Sequence, residues 1–137
     1  MNTQFSIAVH MMIGLGLNCG RELTSAQMAM SVNTSPSFVR RILSKLSKAN
    51  LVSTTTGKSG FSALAKKAEE ISLLEIYKAV GAPQTFAIHD YPAQNFCQVS
   101  CNIESVMKKV LDKAQKSFEG SLQETSLAEV IADIKMS

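Results

Sequence analysis

Apolar residues crowd the start of the chain, where Phe5, Ile7, Ala8, Val9, Met11, Met12, Ile13, Leu15 and Leu17 fall within one helical stretch. This density predicts a buried helix over residues 5–17, ended by Asn18-Cys19-Gly20. Thr24-Ser25-Ala26-Gln27 then has the form of a capping box, in which the threonine hydroxyl and the glutamine amide each satisfy an orphan N–H. It opens a short second helix that stops near Val32-Asn33-Thr34. Ser35-Pro36 opens a third, because serine caps well and proline suits the first helical position. In that third helix Val39, Ile42, Leu43 and Leu46 recur at helical spacing, so the stripe they form faces a core.

After Ala49-Asn50 the pattern changes. Leu51 to Thr55 is β-prone, Gly57-Lys58-Ser59-Gly60 is a turn signal, and Phe61 to Leu64 is the expected return strand. A helix is expected again over Ile71 to Val80, ending at Gly81-Ala82-Pro83. Residues 82–98 show no period. From Asn102 a regular seam appears: Ile103, Val106, Met107, Val110, Leu111, Ala114, Phe118 and Leu122 advance in steps of three and four. A heptad seam packs either on its own domain or on the same helix of a second chain. The first domain has helices of its own, and the second choice is the expectation. Ser126 then caps a short amphipathic helix holding Leu127, Val130, Ile131 and Ile134. The expected fold class is mainly α: a winged helix-turn-helix domain with a two-stranded β-wing over residues 1–81, a linker over 82–100, and a dimerisation helix with a terminal short helix over 101–137.

Composition narrows the class of protein. At 137 residues, 45% of them apolar, the chain can bury a core, and three cysteines are too few and too odd in number for a disulfide-stapled secreted scaffold. Residues 1–4 hold no Lys or Arg, and Ser6 and His10 interrupt the apolar stretch that follows, so a targeting signal is not expected. A membrane partner is not expected either, and the expected location is the cytoplasm.

Charge is more informative by position than in total. The formal net charge is only +3, yet residues 35–67 carry Arg40, Arg41, Lys45, Lys48, Lys58, Lys66 and Lys67 without a single Asp or Glu. The rest of the chain is net acidic. A basic block free of acids is the footprint of a polyanion partner, although Lys-rich helix faces also occur simply as solvated surface. Geometry favours the partner. Arg40, Arg41, Ser44, Lys45 and Lys48 lie opposite the apolar stripe of the third helix, which follows a short helix and a tight turn. Such a helix fits the major groove of B-DNA, where Arg bonds guanine acceptors and Ser bonds base edges or phosphate. The expected DNA-binding residues are Ser35, Ser37, Arg40, Arg41, Ser44 and Lys45 in or beside the groove. Lys48, Lys58 and Ser59 are expected on the backbone, with Thr24 or Thr34 anchoring a phosphate at a helix N-terminus.

The remaining chemistry-bearing residues are weaker signals. Cys97 and Cys101, four apart near a helix start, are inert cytosolic thiols or a redox sensor. With His89 they fall short of a zinc set, so no metal is expected. Cys19 and His10 are expected in the core, and Met11, Met12, Met28 and Met30 are expected to fill gaps there. His89-Asp90-Tyr91 is a weak ligand-site candidate. No nucleophile–base arrangement and no phosphate loop stand out, so no enzyme is expected.

These residues also resemble a known family. The stretch SPSFVRRILSKLSKANLV is similar to the recognition helix and wing start of the Rrf-two family of bacterial winged-helix regulators. ISLLEIYKAV is similar to its helix after the wing, and LAEVI to its terminal helix. The Asn33-Thr34-Ser35-Pro36 turn, the Arg40-Arg41 pair and the His89 segment most resemble the family's cluster-free, YwnA-like branch. The resemblance implies a DNA-binding transcription regulator, usually a repressor, that dimerises through a long C-terminal helix and binds a pseudo-palindromic operator. Family wings often carry an Arg at the base and a Gly-Pro-Gly-Gly-Gly-like tip. Here the positions read Thr55-Thr56-Gly57-Lys58-Ser59-Gly60, which implies a phosphate contact by Lys58 in place of minor-groove insertion. Cluster-binding members use three cysteines before the dimer helix. This chain has two, so no iron–sulfur cluster and no other cofactor is expected. The competing expectation is a winged-helix adaptor that does not bind DNA.

Overall fold

A computed structural model of the chain describes residues 2–17, 23–55, 62–84 and 86–137. The described elements are helices α1 (Gln4–Leu17), α2 (Ser25–Val32) and α3 (Pro36–Lys48), strands β1 (Val52–Thr54) and β2 (Ser62–Leu64), and helices α4 (Leu73–Ala79), α5 (Gln98–Glu124) and α6 (Leu127–Met136). A single 3-10 turn, Ala68–Glu70, precedes α4. By contact the chain forms two units, Met1–Pro83 with Leu122–Ser137, and Gln84–Ser121.

The first unit is built around the apolar first helix and the apolar stripe of the third. Ala8, Met11, Met12 and Leu15 of α1 are buried together with Val39, Ile42, Leu43 and Leu46 of α3. Burying each of these side chains larger than alanine stabilises by about 1.5–3 kcal/mol, before conformational entropy is subtracted. The capping box is present as predicted. Thr24 Oγ1 accepts the Gln27 N–H at 3.1 Å, and Gln27 Oε1 accepts the Thr24 N–H at 2.9 Å. α2 ends at Asn33, whose φ of 64° and ψ of 52° are left-handed. Asparagine tolerates this conformation better than other non-glycine residues.

β1 and β2 pair antiparallel in the register Val52↔Leu64, Ser53↔Ala63 and Thr54↔Ser62. An isolated antiparallel bridge joins Leu23 to β2: its N–H donates to the Ser62 carbonyl at 3.1 Å and its carbonyl accepts the Ser62 N–H at 2.9 Å. The segment leading into the helix-turn-helix is thereby tied to the second strand of the wing.

The terminal helix belongs to this unit by contact, whereas the sequence boundary at residue 101 groups it with α5. A bridge between Ser72 and Ser126 brings the N-caps of α4 and α6 side by side, with Leu73 N–H donating to the Thr125 carbonyl and Leu127 N–H to the Ile71 carbonyl. Leu127 and Ile131 then join the core. The amphipathic pattern of α6 shows that one face is buried, but periodicity does not say against what.

Two expectations about core residues are corrected. His10 is exposed, because it shares the outward row of α1 with Ser6, four residues earlier; its Nε2 lies 3.0 Å from Ser31 Oγ. Met11, Met12 and Met28 are buried, but Met30 is 83% exposed, since two further helical positions carry the chain from the inner to the outer face. Two boundaries also shift. Ile71 is buried in an extended link before α4, and α5 starts four residues before Asn102. Cys19, Gly20, Lys58, Ser59 and Phe61 lie outside the described residues.

Candidate nucleic-acid interface

The third helix presents its two faces as the sequence pattern requires. Val39, Ile42 and Leu46 are almost fully buried, while Arg40, Arg41, Ser44, Lys45 and Lys48 are all exposed. Its N-terminus is fixed by Ser35, whose Oγ accepts the Phe38 N–H at 3.2 Å and lies 3.2 Å from Ser37 Oγ. Ser35 and Ser37 are exposed beside the first turn. Thr34 and Thr24 are half-buried; the Thr34 N–H donates to the Ala29 carbonyl, closing the turn between α2 and α3. Every described residue proposed for DNA contact therefore sits on α3, at its cap, in the turn before that cap, or at the N-cap of α2.

The cations on this face are not equivalent. The Arg41 guanidinium lies over the Phe38 ring, 5.2 Å from its centroid, a cation–π geometry that limits its rotamers. Lys45 Nζ donates to Gln4 Oε1 at 2.8 Å. Lys66 forms an ion pair with Glu75 at 3.2 Å, so this part of the basic block braces the segment before α4. Such a partly exposed pair contributes little stability. Sequence reasoning missed Phe38 and Gln4. The spacing of three between Phe38 and Arg41 is a usable signal; the contact between residues 4 and 45 leaves no trace in local pattern.

The second unit holds the long helix. No residue of α5 is fully buried within the chain. Ile103, Met107, Leu111 and Phe118 are half-buried, whereas Val106, Val110 and Ala114 are exposed. A second apolar surface lies on the first unit. There Phe5, Val9, Ile13 and Leu17 of α1 line an open groove of about 560 Å³ with Leu73 and Ile134.

At the start of α5 the half-buried Cys97 accepts the Ser100 N–H at 3.4 Å, and the exposed Cys101 donates to the Gln94 carbonyl at 3.3 Å. His89 and Tyr91 stack with ring centroids 4.8 Å apart. Among the described residues no group of three or more His, Cys, Asp or Glu side chains converges as metal ligands. Also among them, no helix is long and apolar enough to cross a membrane.

The comparisons with known proteins agree with this architecture. The family described as "Rrf2: Iron-dependent Transcriptional regulator" matches residues 1–133. YwnA of Bacillus subtilis (strain 168), provisionally named an HTH-type transcriptional regulator, is 34% identical over 133 residues, covering 96% of each chain. A crystal structure of a protein provisionally named as DNA-binding is 28% identical, with a TM-score of 0.73, and covers 93% of this chain and 98% of its own. A transcriptional regulator from Lactobacillus plantarum, also provisionally named, shares the fold at a TM-score of 0.83 and 23% identity, covering 98% of this chain and 91% of its own. These descriptions are of regulators, not enzymes. Among the described residues no donor set matches the iron dependence in the family description: Cys97, just before α5, and Cys101, in its first turn, fall short of the four protein ligands that iron–sulfur clusters usually take, most often thiolates.

Proposed function

The chain belongs to the Rrf2 family of transcriptional regulators, and from that premise we propose that it is a homodimeric, sequence-specific repressor of a pseudo-palindromic DNA operator. The carrying observation is the exposed cationic and hydroxyl face of α3, set opposite a fully buried stripe. Arg40, Arg41, Ser44 and Lys45 enter or flank the major groove, with Ser35 and Ser37 at its edge. Lys48, Lys58 and Ser59 meet the backbone, with Thr24 or Thr34 at a phosphate. Two such helices serve a two-fold operator when held about 34–36 Å apart, or a multiple of that. The part-exposed apolar seam of α5 and the apolar groove along α1 are surfaces of the kind a second copy covers. Repression follows from occluding a promoter, and a chain acting on the chromosome works in the cytoplasm.

Titration against duplex DNA over a range of salt concentrations tests this reading. Binding that weakens steeply with salt, with a log–log slope of about −0.9 per phosphate contacted, is the expected result. Absent or salt-insensitive binding would instead identify a winged-helix adaptor.

A further inference from the structure

Lys45 and Gln4 are 41 residues apart in sequence, yet Lys45 Nζ donates to Gln4 Oε1 at 2.8 Å. The lysine lies on the cationic face of α3, and the glutamine is the first residue of α1. We infer that Gln4 is a positioning residue for DNA binding: it orders Lys45 before the duplex arrives and brings the start of α1 to the edge of the recognition surface.

The chemistry of the pair fixes its orientation. An ammonium only donates, so the glutamine must turn its carbonyl oxygen toward Lys45. Its NH2 group, with two donors, then points away from the lysine. The ammonium donates one of its three N–H groups to Gln4 and keeps two for a phosphate or a base acceptor. Gln4 carries no charge, so it holds Lys45 without neutralising it; an acid at the same place would grip harder and cancel the attraction for DNA. The Gln4 backbone is itself anchored, since its N–H donates to Asn2 Oδ1 at 2.9 Å. An unrestrained lysine loses its rotamer freedom when it meets a phosphate, and a lysine already held loses less. The role of Gln4 rests on the DNA-binding reading above, and the test separates the two.

The test measures full-length wild-type protein, Gln4→Ala, Gln4→Glu, Lys45→Ala and the double variant Gln4→Ala/Lys45→Ala against a labelled mixed-sequence duplex across a salt series. Thermal melting confirms that each variant is folded. Lys45→Ala should flatten the log–log salt slope by about one. Gln4→Ala should weaken binding by about two- to tenfold per bound subunit with the slope unchanged, which is the loss from ordering one long side chain during binding. Added to Lys45→Ala it should change nothing further. Gln4→Glu should flatten the slope as Lys45→Ala does. A Gln4→Ala protein that binds like wild type, or one that weakens binding equally with and without Lys45, overturns the role of Gln4 while leaving the DNA-binding reading intact. Wild-type protein that shows no salt-dependent binding overturns both.

Discussion

Gly16 faces Ile131 so closely that a β-carbon added to the glycine would overlap the Ile131 Cδ1 atom, with Leu64 Cδ1 3.6 Å away. This packing seats α6 on α1. Gly16→Ala should gain about 1 kcal/mol in helix propensity and lose about 1–3 kcal/mol to overpacking, a net destabilisation. Ile131→Val removes the offending methyl group. The two changes together should therefore cost less than the sum of the singles, by about 0.5 kcal/mol or more. Urea unfolding of the four proteins at one fixed concentration measures the coupling. Strict additivity would show that the two residues do not press on each other.

The same contact marks where sequence reasoning stops. Local features were legible: the Thr24–Gln27 box, the Ser35-Pro36 start, the inner stripe of α3 and the two short strands all follow from spacing of a few residues. The order helix, turn, helix and hairpin pointed to the winged-helix fold, and the family resemblance agreed with it. Long-range partnerships were not legible. Nothing in LAEVI names α1 as its neighbour, and nothing in the first four residues points to Lys45. The misplaced His10 is different in kind. Its spacing from Ser6 was available, but the apolar density around it suggested burial on every side.

Ser35 caps α3, and its proposed contact with DNA is a second role that chemistry can separate from the first. Ser35→Ala removes the oxygen that accepts the Phe38 N–H and should cost about 1 kcal/mol of stability. Ser35→Asp keeps a capping oxygen and suits the positive helix end, so stability should be retained. Its negative charge should nevertheless weaken DNA binding. Melting curves beside DNA titrations give both numbers, and an aspartate variant that binds DNA like wild type would place Ser35 away from the duplex.

Arg40 and Lys48 should respond differently to truncation. Arg40→Ala should cost about 1–3 kcal/mol on an operator recovered from genomic DNA and relax preference at one base pair. Lys48→Ala should weaken all duplexes alike and reduce the salt slope by about one. Equal losses on operator and mixed-sequence DNA for Arg40→Ala would assign that arginine to the backbone.

On α5, Val106 and Val110 are each about half exposed within the chain, at 51% and 53%. Val106→Asp should leave the circular dichroism of the protein unchanged and shift its sedimentation from dimer to monomer at micromolar concentration. Unchanged sedimentation would remove this stretch of the seam from the proposed dimer interface.

The two thiols at the start of α5 should react unequally. Exposed Cys101 should alkylate faster than Cys97, which is half-buried and holds the Ser100 N–H. Peptide mass spectrometry after brief iodoacetamide treatment reads the ratio. If the pair senses oxidants, mild peroxide should change DNA affinity in wild type and have no effect in Cys101→Ser. An affinity indifferent to peroxide would make both cysteines bystanders.

The bridge between Ser72 and Ser126 has a mechanical corollary. Residues 84–121 leave from, and return to, one compact body. A protease cutting between Phe86 and Phe96 would sever the polymer without dispersing it. The carboxyl-terminal fragment would stay clasped through Leu127 and Ile131, so the halves would part only in denaturant.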